Sequence, residues 1–181
     1  MPLLPLATIR RVNGRWTAEE SDVKVNSETG DLHAIGGVVT ADGGVVTADG
    51  GFAVYMVNKT GAPSVKGSCV TAGEAVQNSF VLETSQFAAI GYVYEDGVAD
   101  GSLCLVVKSG KAKVLLKDGT AATRGYLLRP SSDTPGRVEA VVPSGGIGAQ
   151  ATADHFKEAG HCLEDQAAGV NVLALASLHF N

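Results

Sequence analysis

Apolar and polar residues alternate in short runs along most of the chain, and the runs end at Gly, Pro, Asn, Asp or Ser. In 111–117, Ala112, Val114 and Leu116 share one face, while the lysines point the other way together with Leu115. This period of two predicts short β-strands joined by tight turns. The predicted strands are 6–12, 22–26, 52–57, 65–71, 80–83, 89–94, 103–108, 111–117, 125–128, 138–142, 160–163 and 170–180.

Two dipeptides between such runs predict β-hairpins. Asn13-Gly14 follows the run that ends at Val12, and Ser109-Gly110 separates the apolar run 103–108 from 111–117. The pattern favours a helix at 152–159 only, and that helix would be short. The hydrophobic pattern as a whole therefore predicts an all-β protein.

The first 51 residues differ from the rest because they contain a seven-residue repeat. The sequence GGVVTAD occurs at 36–42 and again at 43–49, and Gly50-Gly51 begins a third copy. Two glycines per period exclude a helix, whereas VVT favours a strand and DGG favours a turn. Two copies are too few for a calcium-binding repeat array. We predict an N-terminal arm or small β module at 1–51, formed by short strands or a flexible tether, and a β domain at 52–181.

A second pattern divides the β domain into two related halves. Each half contains a basic residue followed by Gly, then a strand, and later a Gly, a Glu-Asp pair and another Gly before a final apolar run. The residues of this pattern are Lys66, Gly67, Gly91, Glu95, Asp96 and Gly101 in the first half, and Arg124, Gly125, Gly160, Glu164, Asp165 and Gly169 in the second.

Each part of the duplicated pattern has a structural interpretation. A Gly after the basic residue lets the chain enter the strand with a positive φ or a close backbone approach. Carboxylates at a corner between strands can accept backbone N–H groups of the turn. Two such halves predict a small closed or nearly closed β-barrel with pseudo-two-fold symmetry, because closure removes exposed sheet edges.

Composition and charge narrow the classes of function. Gly contributes 23 of 181 residues and aromatic residues only 6%, which suits many tight turns better than a helical bundle. A net charge of −5 argues against a broad nucleic-acid-binding surface, and an apolar run long enough to cross a membrane is missing from the sequence. Cys69, Cys104 and Cys162 are odd in number and widely spaced among apolar neighbours, so we expect buried thiols.

The positions of the candidate catalytic residues indicate structural rather than catalytic roles. The neighbours in Glu95-Asp96 and Glu164-Asp165 point to opposite sides of a strand, so their carboxylates do not converge. His161 and Cys162 diverge for the same reason, and together with His155 and His179 they match no zinc-binding spacing. We therefore expect no catalytic residue, no cofactor and no bound metal.

Two further motifs are weak. The segment 146–151 matches G-x-G-x-x-A but lacks the βαβ context of a dinucleotide site, so we interpret it as a loop. Lys108, Lys111, Lys113 and Lys117 predict a solvated face that discourages edge pairing, with contact to an acidic protein surface as the alternative.

Four blocks of the β domain resemble tailed-bacteriophage capsid cement (decoration) proteins. They are VNKTGAPSVKGSCV at 57–70, IGYVYEDGVADG at 90–101, VLLKDGTAATRG at 114–125, and the ending 155–181 with HFKEAGHCLE and HFN. The blocks occur in the same order as in that family and span roughly 52–181. Residues 1–51 lie outside the resemblance.

The resemblance implies a non-enzymatic virion protein with a small β-barrel of β-clip or β-tulip type. Such proteins are made in the host cytoplasm and sit on the outer surface of an icosahedral head. The implied partners are the major capsid protein and further copies of the chain, as a homotrimer or a dimer, with no nucleic acid and no membrane. Cementing would come from many modest contacts that together resist the pressure of the packed genome.

Within 1–51, Arg10, Arg11, Arg15 and Trp16 are the predicted capsid contacts, because Arg and Trp are enriched at interface hot spots. A small local core with solvated charges is the alternative for these four residues. Two other classes of function remain open. One is a head-fibre, receptor- or glycan-binding protein with Tyr92, Tyr94 and Tyr126 at an exposed tip, and the other is a hydrolase that uses His161 or Cys162.

Overall fold

The computed structural model describes residues 44–142 and 157–180 in full, and before them the backbone of strands at 9–12, 15–18, 24–25, 32–34 and 37–39. The chain divides into two compact units, Met1–Ala48 and Asp49–Asn181. Within the described residues every regular element is a β-strand, so the all-β prediction is confirmed. The segment 146–151 and most of the predicted helix at 152–159 lie outside the described residues.

The described strands of the first unit form an antiparallel meander. Val12 pairs with Arg15, which is the two-residue hairpin predicted at 13–14. Val38 pairs with Val46, so the two copies of the seven-residue repeat form neighbouring strands. The strands are β1 (Ile9–Val12), β2 (Arg15–Ala18), β3 (Lys24–Val25), β4 (Leu32–Ala34), β5 (Gly37–Val39) and β6 (Val45–Thr47).

The second unit contains the longer strands and the duplicated pattern. Each of its strands overlaps a run that the period of two predicted. They are β7 (Gly51–Asn58), β8 (Cys69–Ala72), β9 (Ser79–Leu82), β10 (Gly91–Val93), β11 (Leu103–Leu115), β12 (Leu127–Pro130), β13 (Val138–Val141), β14 (Gly160–Cys162) and β15 (Leu173–Leu178).

The strands in the first half of this unit pair in a closed cycle that begins and ends at β7. β7 pairs in parallel with β9, and the pairing continues antiparallel through β8 and β10 to β11. β11 then pairs antiparallel with β7, with Cys104 opposite Met56. These five strands form a closed ring of pairing, which we call the first ring.

The second half repeats this arrangement. Antiparallel pairing runs from β11 through β15, β14 and β12 to β13. A parallel bridge between Leu116 and Val138 returns the pairing to the end of β11, and we call this set of strands the second ring. The closing hydrogen bonds match, because the Lys59 N–H donates to Phe80 O at 2.9 Å and the Lys117 N–H donates to Val138 O at 2.8 Å.

β11 belongs to both rings, and here the predicted hairpin at Ser109-Gly110 is wrong. Leu103–Leu115 is one strand, with a register shift between Val107 and Ser109. Gly110 has a φ of +82°, and a Cβ there would lie 2.7 Å from the Gly50 carbonyl oxygen. The dipeptide therefore forms an irregularity that redirects the strand from β7 toward β15.

Each ring encloses apolar side chains from alternate strand positions. In the first ring Phe80 and Val106 are fully buried among Met56, Val70, Val93 and Cys104. In the second ring Ala112, Val114 and Leu116 are buried, as their alternation predicts.

Candidate functional site

The Glu-Asp pairs of both halves hold turns at equivalent places. Glu95 Oε2 accepts the Leu105 N–H at 2.8 Å, and Glu164 Oε1 accepts the Leu175 N–H at 2.7 Å. The aspartates reach the opposite turn, where Asp96 accepts the Lys66 N–H at 3.1 Å and Asp165 accepts the Arg124 N–H at 2.8 Å. The carboxylates thus satisfy backbone donors at corners between strands.

The glycines of the duplicated pattern serve two distinct purposes. Gly67 and Gly125 have left-handed φ values of +82° and +84°. Gly91 and Gly160 allow close approach, since a Cβ would lie 2.6 Å from Val107 O at the first and 2.5 Å from Ser177 O at the second.

The last pair of glycines is not equivalent. Gly101 has a φ of +83°, and the left-handed residue at the corresponding corner of the second half is Asn171, with a φ of +54°. Gly169 lies two residues before Asn171, and its carbonyl oxygen accepts the Gly119 N–H at 2.9 Å. Asparagine tolerates this backbone region better than most residues, which explains the exchange.

Charge strengthens the corner at Glu164. Its Oε1 also accepts a hydrogen bond from Lys113 Nζ at 2.7 Å and one from Gln166 Nε2 at 3.1 Å. The Lys113 ammonium holds the pKa of Glu164 below its usual range, with the Leu175 N–H contributing in the same direction. The Arg124 backbone N–H, followed by its guanidinium, lowers the pKa of Asp165.

Glu164→Gln is expected to lower the free energy of unfolding near neutral pH by about 1–2 kcal/mol, because a charge-assisted contact to Lys113 becomes a neutral one. The folded pKa of Glu164 is lowered, so its contribution is complete above the unfolded pKa of about 4.3 and is lost as pH falls through the folded value. Urea unfolding at neutral pH and below about pH 3 measures this difference. A difference between wild type and variant that stays constant over this range would contradict the assignment, and Lys113→Met provides the matched removal of the cation.

The lysines of 108–117 do not form a continuous cationic surface. Lys113 pairs with Glu164, and Lys117 Nζ lies 2.7 Å from Asp133 Oδ2 and 3.0 Å from Glu139 Oε1. The hydrogen bond from Lys117 lowers the pKa of Asp133 to about 2. Partial burial lowers the pKa of Lys108. Two of the four lysines are thus engaged within the chain.

The cysteines are buried thiols, as predicted. Burial, followed by the nearby Glu164 and Asp165 charges, raises the pKa of Cys162 to about 11. Burial also raises the pKa values of Cys69 and Cys104. Burial and a raised pKa make the Cys162 thiol a weak nucleophile.

The three tyrosines considered for an exposed tip do not share one. Tyr92 is completely buried, and its ring packs 6.0 Å from the ring of Phe180. Tyr94 and Tyr126 are half-buried, and Lys66 Nζ lies 4.8 Å above the Tyr94 ring. Because Tyr92 is buried, the three tyrosines do not form the exposed cluster that would favour glycan binding.

His161 and His179, which are far apart in the sequence, lie close together in the structure. His161 Nδ1 and His179 Nδ1 are 3.0 Å and 3.3 Å from Glu158 Oε1. Cys162, the neighbour of His161 in β14, is buried on the other side of the strand, and His155 lies outside the described residues. Sequence reasoning missed Glu158, although its spacing of three residues from His161 was available as a signal.

The predicted capsid contacts lie in the first hairpin. Arg10 and Arg11 belong to β1, Arg15 and Trp16 belong to β2, and Arg11 is the register partner of Trp16.

In the part of the chain that the structure describes, no helix is long and apolar enough to span a membrane. No protein-family model matches the chain, and no curated protein matches its sequence.

Proposed function

We propose that this protein is a capsid cement protein that binds the outer surface of an icosahedral phage head and ties neighbouring major capsid subunits together. The observation that carries the proposal is the matched use of Glu95-Asp96 and Glu164-Asp165 as turn-holding acceptors. These pairs lie in the blocks that resemble decoration proteins, and in both halves they serve the scaffold. A protein whose most distinctive polar motifs maintain its shape is well suited to a mechanical role.

The outer face of β7 and β11 offers an apolar contact surface. Val57 pairs with Leu103, and Tyr55 occupies the diagonal position on the same side. This side faces away from the first-ring core, which takes the alternate residues Met56 and Cys104. Leu103 is 52% exposed and Tyr55 is 42% exposed. We assign these side chains to the contact with the major capsid protein.

Further contacts would supply the avidity that cementing needs. Other large apolar side chains of the second unit are exposed, among them Phe87 and Val142. Among the described strands β1 is the last in the order of pairing. The first hairpin can therefore add to the edge of a capsid sheet and bring Arg10, Arg11, Arg15 and Trp16 to it. Several modest contacts, multiplied in a homotrimer, give strong attachment.

Binding to undecorated heads tests the proposal directly. We expect the purified protein to bind heads of the phage that carries this gene, saturably and at a fixed number of copies per capsomer. Tyr55→Ser combined with Leu103→Ser should weaken binding at least tenfold, because both substitutions remove apolar contact area. Val170→Ser, the same kind of change at another exposed position, is the control.

The outcomes separate the alternatives. Absence of saturable binding to heads would overturn the cementing role. If the Tyr55→Ser, Leu103→Ser variant binds heads as tightly as the wild type, the assigned surface is rejected. Head binding would then fall to the first hairpin, and the Arg11→Ala, Trp16→Ala double variant tests that surface. Binding to host-cell glycans without binding to heads would favour the receptor-binding alternative.

A further inference from the structure

Three metal-ligating side chains converge at the end of the second ring. Glu158 precedes β14, His161 lies within β14, and His179 directly follows β15. One ligand atom from each lies within 4.8 Å of the others. The imidazole rings are nearly parallel, with an interplanar angle of 14° and centroids 6.4 Å apart. Both rings present Nδ1 to the same carboxylate oxygen.

We propose that Glu158, His161 and His179 bind a divalent transition-metal ion, with Zn²⁺ as the best match. Zinc bonds to imidazole nitrogen and carboxylate oxygen are about 2.0–2.2 Å long, so two ligands at tetrahedral corners are roughly 3.3–3.5 Å apart. The separations of 3.0 Å and 3.3 Å from Glu158 Oε1 to the two histidines are close to that spacing. The ring nitrogens of His161 and His179 lie within 4.8 Å of each other, so the two rings would move toward one another to complete the coordination geometry.

The ligand set also favours this class of ion over others. Two imidazoles and one carboxylate suit zinc and its transition-metal neighbours, whereas Mg²⁺ and Ca²⁺ prefer oxygen ligands throughout. The Glu158 side chain is buried and fixes one ligand in place, while His161 and His179 are 43% and 52% exposed. Solvent therefore reaches the site and can supply the remaining ligand as water.

An ion at this site would fasten the end of the chain to both rings. His179 is followed by Phe180, which packs on Tyr92 of β10 in the first ring. Tyr92 Oη in turn donates to the carbonyl of Ala159, one residue after Glu158, at 3.5 Å. Metal binding would join the segment before β14, β14 itself and the residues after β15, and it would stabilise the folded state by mass action. This inference does not depend on the cementing role.

Calorimetric titration of the full-length, chelator-treated protein with ZnCl₂ is the test, combined with thermal unfolding at increasing ZnCl₂. We expect one Zn²⁺ per chain and a melting temperature that rises with ZnCl₂ and falls again on adding EDTA. His161→Ala and His179→Ala should each weaken Zn²⁺ binding at least tenfold and abolish the thermal shift. Both rings are half exposed, so these variants leave the core intact.

The controls make the result decisive. His33→Ala removes a histidine of β4 in the first unit and should leave Zn²⁺ binding unchanged. MgCl₂ should produce no thermal shift. Failure to bind Zn²⁺ at millimolar concentration would overturn the proposal, as would Zn²⁺ binding that persists in the His161→Ala, His179→Ala double variant.

Discussion

Replacing Gly67 with alanine should destabilise the second unit by about 2–5 kcal/mol, because two penalties meet at this residue. Gly67 has a φ of +82°, a left-handed conformation that costs a residue with a Cβ about 1–2 kcal/mol. The new Cβ would also lie 2.6 Å from Leu173 Cδ2 and 2.8 Å from the Leu115 backbone nitrogen. Overpacking of this kind costs about 1–3 kcal/mol more.

Gly125 provides the matched control within the same molecule. It is the equivalent residue of the second half and has a φ of +84°, but a Cβ there meets no atom within 4 Å among the described residues. Gly125→Ala should therefore cost only about 1–2 kcal/mol. Equilibrium urea unfolding followed by circular dichroism measures both. Equal losses for the two variants would show that close packing at Gly67 contributes nothing.

The reason for the difference lies in where the two rings meet. The Gly67 carbonyl accepts the Leu115 N–H at 2.8 Å, at the end of the strand that the rings share. The turn before β8 therefore packs directly on the backbone of the second ring. Gly125 shares the turn conformation without this close packing.

Replacing Phe80 with alanine should cost about 3–5 kcal/mol, the range for truncating a fully buried aromatic side chain. Phe80 is completely buried in the first-ring core against Met56, Val70, Val93, Cys104 and Val106. Its backbone carbonyl accepts the Lys59 N–H in the parallel pairing that closes the ring. The cavity left by the substitution is lined by the other side chains of this core, whose strand backbones let the surroundings relax only partly.

Phe87→Ala is the control for the loss of a phenyl ring. Phe87 is 61% exposed, and Lys157 Nζ lies 5.2 Å from its ring centroid. Its replacement should cost less than about 1 kcal/mol, the scale of an exposed cation–π contact. The same urea titration measures both variants. A loss for Phe80→Ala as small as that for Phe87→Ala would mean that the first ring is not the core of the folded unit.

Local chemistry in the sequence was enough to predict several features. Alternation of apolar residues identified most strands, because one face of each must be buried while the other is not. The burial of Ala112 and Val114 in β11 and of Leu116 just after it follows from the same rule. The recurrence of basic residue, Gly and Glu-Asp revealed the duplication, because equivalent turns need the same backbone conformations and acceptors.

Choice of partner strand was beyond local reasoning. Ser109-Gly110 has the composition of a hairpin, yet β11 continues through it. Each half of this strand finds its own partners, β7 before the irregularity and β15 after it, and pairing on both sides outweighs the turn preference of two residues. The sequence pattern also does not indicate that Asn171 takes the place of Gly101, because a left-handed position is defined by φ rather than by residue type.

The sequence by itself thus determined the all-β class, the duplicated halves and the polar corners, since these depend on residue type and spacing along the chain. Only the tertiary structure decided that the halves form two rings sharing β11, that Gly67 is tightly packed while Gly125 is not, and that Glu158, His161 and His179 meet. Such features depend on distances between residues far apart in the chain. Those distances are set by how the strands pair and close, which depends on all of the strands together.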